Sequence, residues 1–142
     1  AAPASPAGTA TLRGDGTAVA PAGAPPQVVA MIEAGNRIAT LPYRYGGGHR
    51  GFEDTAYDCS GSVSYALHGA DLLDSPLASG GLGAWGSAGP GRWVTIYAND
   101  EHVYMLVAGL RFDTSGQRQS GSRWQTATRS NGGFIVRHPA GL

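Results

Sequence analysis

The hydrophobic residues of this chain change their period once, and that change limits the folds open to it. From Gln27 to Ala70 they recur at helical spacing in two segments parted by a glycine run, and from Trp93 to Thr114 they alternate as strands do. Val28, Val29, Met31, Ile32 and Ile38 define the first helical segment, with Pro25 and Pro26 placed to open it and Pro42 to end it. In the second, Cys59, Val63, Ala66, Leu67 and Ala70 share one face, which puts Cys59 in the first turn and turns it inward. Trp93 to Tyr97, His102 to Val107 and Leu110 to Thr114 predict a small antiparallel meander, the last two strands joined at Ala108-Gly109. Phe134 to His138 is a further expected strand. Helices first and sheet afterwards is the order of an α+β domain, N-terminal helices packed on a small antiparallel sheet.

With 142 residues the chain has room for one core of roughly 100 to 120 residues. Residues 1–26 are dominated by Ala, Pro, Gly, Ser and Thr, a composition that favours extended, solvated backbone, so a disordered linker is expected there and the domain is expected over 27–142. Ten basic and ten acidic side chains are mixed along the sequence, and this neutrality argues against nucleic acid or an anionic membrane as partner. No apolar stretch is long enough to span a bilayer, so membrane insertion is not expected.

The chain has one cysteine, so no internal disulfide forms; the thiol is either an inert buried group or a reactive one. At a helix start, unpaired backbone N–H groups and the positive end of the macrodipole favour the thiolate, and the same N–H groups can stabilise an oxyanion. His102 heads a strand, where a sheet can hold its imidazole against Cys59 as general base. His49, His68 and His138 compete for the role. His68 stands nine residues beyond Cys59 on the same helix, more than about 10 Å along the axis, His138 is near the end of the chain and His49 is in a glycine loop. Asp113, on the strand returning from the Gly109 turn, is the nearest group that can orient the imidazole, with Thr114 as the fallback. One Cys and four scattered His lack the paired spacing of a zinc site, and no metal or organic cofactor is expected. Residues 115–142, with Arg118, Arg123, Trp124 and Arg129, have no motif; they either shape a groove or cover the sheet.

Pro42 to Gly47, Asp58-Cys59-Ser60-Gly61 and His102-Val103 stand in the order Pro-Tyr-x-Trp/Tyr-Gly-Gly, Asp-Cys-Ser-Gly, His-Val, which resembles the NlpC-type family of papain-like cell-wall cysteine peptidases over residues 27 to 114. The resemblance implies a papain-like α+β core and a secreted or wall-associated bacterial enzyme without cofactor; a monomer is expected. It implies hydrolysis of amide bonds in peptidoglycan stem peptides, commonly between γ-D-glutamyl and diaminopimelyl residues, through a Cys59 thioester with His102 as base. It also implies that Tyr43, Asp58 and Ser60 bind the free amino end of the stem peptide, where a carboxylate would meet an ammonium. Two positions depart from the pattern. The usual Pro-Gly-Asp-Leu-Val strand opening is Pro90-Gly91-Arg92-Trp93-Val94, and the third catalytic position, normally His, Asn or Gln, falls to Asp113 or Thr114. Two other readings stay open: an acyltransferase or amidase, as relatives on papain-like folds can be, and, because of these departures, a wall-binding module without catalysis.

Overall fold

Proline opens the first helix where the sequence places it. In the computed structural model, which describes residues 8–142, helix α1 (Pro26–Ile38) has Pro at its first turn and buries Val28, Met31, Ile32, Ala34, Gly35 and Ile38. Helix α2 (Cys59–Gly69) begins at the cysteine, with Asp58 as N-cap accepting the Gly61 N–H at 2.7 Å. A short helix α3 (Ser79–Leu82) follows. The two longer helices pack on each other, and α2 also lies against the sheet.

The N-terminal segment differs from the expected linker. Strands β1 (Thr11–Leu12) and β2 (Ala18–Val19) pair as a hairpin closed by Asp15, whose Oδ1 accepts from Thr17 N and Oγ1. Asn36 on α1 exchanges hydrogen bonds with both backbone groups of Ala18, and the Ala10 N–H donates to Ala108 O at 2.8 Å. Alanine and glycine bury little apolar area, but they let backbone approach backbone closely, and here polar pairing does what hydrophobic burial cannot. Residues 1–7, also assigned to the linker, lie outside the described residues.

The main sheet is larger than a three-stranded meander. Its strands are β3 (Ser87–Ala88), β4 (Val94–Ala98), β5 (Val103–Val107), β6 (Leu110–Phe112), β7 (Trp124–Gln125) and β8 (Ile135–His138), ordered β3-β8-β4-β5-β6-β7 and antiparallel throughout. β5 and β6 are joined by Ala108-Gly109, both at positive φ, the two-residue turn whose twist matches antiparallel strands. Between β6 and β7 a 3-10 turn (Thr114–Gly116) runs into helix α4 (Gln117–Ser120).

The segment after β6 supplies core. Trp124 is fully buried, its ring tilted against that of Phe112, and its indole N–H donates to Asn36 Oδ1 at 3.0 Å. It fits because residue 35 is glycine: a Cβ there would stand 2.7 Å from the indole. Arg123 is also fully buried. Its guanidinium donates to the carbonyls of Ile38, Leu41, Pro42 and Tyr57 and to Ser62 Oγ, at 2.6–3.2 Å. Desolvation lowers its pKa to about 10, which still leaves the side chain charged at neutral pH.

Replacing Arg123 with Met would keep bulk but remove the donor to Tyr57 O and Ser62 Oγ and the second donor to the carbonyls of Ile38, Leu41 and Pro42, which keep the Leu41 N–H, the Gln117 amide and the Tyr57 N–H. We expect a loss of about 1–3 kcal/mol of stability, read in urea denaturation as a lower midpoint at unchanged slope.

Candidate functional site

The thiol is placed by a loop and a cap. Between α1 and α2 the chain has neither helix nor strand, yet Tyr57 anchors it: the Tyr57 hydroxyl donates to Phe52 O and accepts the Asp54 N–H, and the Tyr57 N–H donates to Pro42 O. Asp58 then binds in two directions. Its Oδ1 accepts from Gly61 N on α2 and its Oδ2 from Gly46 N in the glycine run, at 2.7 and 2.9 Å. The loop comes so close to α2 that a Cβ at Gly61 would lie 2.1 Å from Gly47 O. Cys59 occupies the first position of α2, where its N–H has no acceptor within the helix. The cysteine is mostly buried and lines an open cleft.

His102 is held at the mouth of β5 by Asn99, whose side chain accepts from the N–H groups of Glu101 and His102 while its own N–H donates to His102 O. Its Nε2 meets Asp113 Oδ1 at 2.9 Å, which leaves Nδ1 for a second partner. Asp113, rather than Thr114, is thus the residue bonded to the imidazole; Thr114 lines the cleft. Asp113 is fully buried at its side chain and saturated with donors. Oδ1 also accepts from Ser115 N and Oγ, and Oδ2 from Arg111 and Arg129 at 2.8 and 3.1 Å. Burial opposes its ionisation, but these hydrogen bonds prevail and hold the carboxyl well below the usual carboxylate range. Arg129 lies over the rings of Tyr104 and Phe134, which also wall His102.

Burial likewise disfavours the charged imidazolium of His102. Hydrogen bonding to Asp113, with the negative charges of Asp113 and Cys59, outweighs it and raises the pKa to about 9. The other histidines are committed elsewhere. His68 stacks on Phe52 and bonds Leu73 O, and His138 bonds Gly89 O. His49 is not a bystander in a loose loop: its Nε2 lies 2.9 Å from both Asp58 Oδ1 and Ser60 Oγ, tying together two of the residues expected to bind substrate.

Two clefts meet at Cys59, and Tyr43, Cys59 and Glu101 line both. One, of about 550 Å³, holds His49, Asp58 and Ser60. The other, of about 850 Å³, holds His102, Thr114, Gln117 and Arg118. Tyr43 is half exposed; partial burial first, then the charges of Cys59 and Asp58, raise its phenol above the ordinary value. Among the described residues no group of three or more His, Cys, Asp or Glu is arranged to hold a metal ion, and no helix is long and apolar enough to cross a membrane.

Neither a protein-family model nor a curated protein matches the chain. Among solved structures it is similar to the peptidoglycan hydrolase RipB from Mycobacterium tuberculosis, at 25% identity and a TM-score of 0.57 over 79% of this chain and 64% of that one. It is also similar in fold to RipA, a resuscitation promoting factor interacting protein, in a mutated form, at 20% identity and a TM-score of 0.54 over 79% and 62% of the two chains. The chain therefore spans less than two thirds of each. What it shares with them is the mixed helix-and-sheet fold.

The raised pKa of His102 has a sign that can be checked. Its folded value lies above the ordinary 6.5, so its protonation contributes stability that is fully present below pH 6.5 and lost as pH rises through about 9. An NMR titration of the His102 ring should show a midpoint near 9. In Asp113→Asn, which removes the carboxylate charge, the midpoint should fall toward 6.5.

Proposed function

We propose that the chain is an NlpC-type, papain-like cysteine peptidase that hydrolyses amide bonds in peptidoglycan stem peptides outside the cytoplasm. The observation that carries this reading is the thiol at the N-terminus of α2 beside an imidazole paired to a buried carboxylate. The likeness to RipB, a peptidoglycan hydrolase, supports the substrate class.

With Nε2 of His102 bound to Asp113, Nδ1 takes the thiol proton, and the raised pKa of the imidazole favours the thiolate–imidazolium pair. The thiolate adds to the amide carbonyl, and the Cys59 N–H at the head of α2 is placed to stabilise the resulting oxyanion. Imidazolium then protonates the departing amine. A water molecule, deprotonated by the same nitrogen, hydrolyses the thioester and restores the thiol. Asp113 acts through His102 as a positioning residue.

Tyr43, Asp58 and Ser60 take the amino end of the stem peptide in this reading. The carboxylate of Asp58 offers the charge an ammonium requires, and His49 holds Asp58 and Ser60 in one orientation. A bond between γ-D-glutamyl and diaminopimelyl residues is the expected point of cleavage.

Wild type and Cys59→Ala, incubated with peptidoglycan and with a free-amino stem tripeptide and followed by mass spectrometry, test the reading. We expect wild type to release fragments and Cys59→Ala to be slower by at least about 1,000-fold. Cleavage that survives the substitution would overturn it. The alkaline limb of kcat/KM should fall near pH 9, because activity needs the imidazolium and is lost as pH rises through its pKa.

A further inference from the structure

The groove through Cys59 differs in charge between its two arms. Asp58, Asp100 and Glu101 line the arm that holds Ser60. The other arm has Arg118, and its single carboxylate is Glu101 at the junction.

Arg118 is set apart from the other basic side chains. All ten are arginines. Seven are engaged, on carboxylates, hydroxyls or backbone carbonyls. Arg50, Arg92 and Arg118 are the three whose side chains have no hydrogen-bond or ion-pair partner among the described residues. Of these, only Arg118 lines a cleft that reaches Cys59. It is carried on α4, which is tied to the body of the protein by the Gln117 Nε2 bond to Leu41 O at 2.8 Å.

The position of His102 gives the groove a direction. A departing amine takes its proton from the imidazolium, so the leaving half of a substrate must lie beside His102. His102 lines the Arg118 arm and not the other. The acidic arm then holds the acyl half, and the Arg118 arm the half whose amine departs.

We propose that Arg118 recognises a carboxylate on the leaving half of the substrate and so determines specificity; this assignment rests on the hydrolase reading above. A guanidinium fork matches a carboxylate in bidentate geometry, and a carboxylate in this arm is the charge Arg118 lacks. Diaminopimelate has a carboxylate at each end, so an acidic leaving residue satisfies both the arm and the scissile bond. Amidation removes the negative charges of that residue and keeps its ammonium, while leaving its size and the bond to be cut almost unaltered.

The test compares two stem tripeptides, L-Ala-γ-D-Glu-diaminopimelate with the diaminopimelyl carboxylates free or amidated. We expect wild type to favour the free acid about tenfold in kcat/KM, the scale of one accessible charge-assisted pair. Arg118→Gln should erase that preference by raising KM for the free acid, and Arg118→Lys should keep part of it. Equal cleavage of both peptides by wild type, or a preference that survives Arg118→Gln, would overturn the assignment. If wild type cleaves neither peptide, the hydrolase reading fails first, and equilibrium binding to Cys59→Ala judges Arg118 alone. Tighter binding of the free acid, lost on adding Arg118→Gln, upholds the assignment; equal binding overturns it.

Discussion

A single buried guanidinium connects most of what matters here. Arg123 reaches from the start of β7 across to the end of α1, the turn at Leu41-Pro42, the carbonyl of Tyr57 and the Ser62 hydroxyl on α2. Those acceptors belong to the segments that lead into and out of the Tyr43–Tyr57 loop. The loop lacks the repeating hydrogen bonds of helix or strand, so its backbone carbonyls need donors from elsewhere, and a charged fork with five N–H groups can serve several at once. Burying that charge carries a desolvation penalty, visible in the lowered pKa of Arg123. The penalty is offset because every direction of the fork meets an oxygen.

The candidate site repeats that logic with the opposite sign. Asp113 is a buried anion whose two oxygens are fully supplied by Ser115, Arg111, Arg129 and His102. Holding it ionised requires these donors together, since burial alone would favour the neutral acid. One consequence is a fixed ring orientation for His102, since Nε2 is committed to Asp113. Another is a balance of charge: two arginines on the far oxygen moderate the field that Asp113 exerts on the imidazole. Arg129 is itself held over Tyr104 and Phe134, so residues from β5, β6, the 3-10 turn and the loop before β8 meet around one carboxylate.

Much of this was legible in the chain. The helix that opens at Pro26, the cysteine at the head of the second helix, the turn at Ala108-Gly109 and the placing of His102 and Asp113 at strand ends all follow from local rules: proline geometry, hydrophobic period, the glycine turn. The hairpin of residues 11–19 did not show, because Ala/Gly/Pro composition carries no hydrophobic period and its partners, Asn36 and Ala108, are distant in sequence. Arg123 and Trp124 were equally hidden. A polar, glycine-bearing stretch reads as surface, and nothing local distinguishes an arginine bound for the core from Arg118, which stays at the cleft. His49, set in a run of glycines, read as loosely held until the loop folded back on Asp58.

By itself, then, the sequence determined the two longer helices, the central strands and the place of the thiol at a helix start, because these depend on interactions within about one helical turn or one strand pair. Three polar motifs in order also carried the resemblance to cell-wall cysteine peptidases, since short motifs preserve chemistry even when the surrounding chain diverges. Only the tertiary structure decided which polar groups meet. That His102 pairs with Asp113 rather than Thr114, that two arginines share the far oxygen of Asp113, and that Arg118 faces the cleft while Arg123 is sealed in the core depend on how the segment after β6 folds across the sheet. Charge and hydrogen bonding act through space between residues far apart along the chain, and no local pattern encodes that distance.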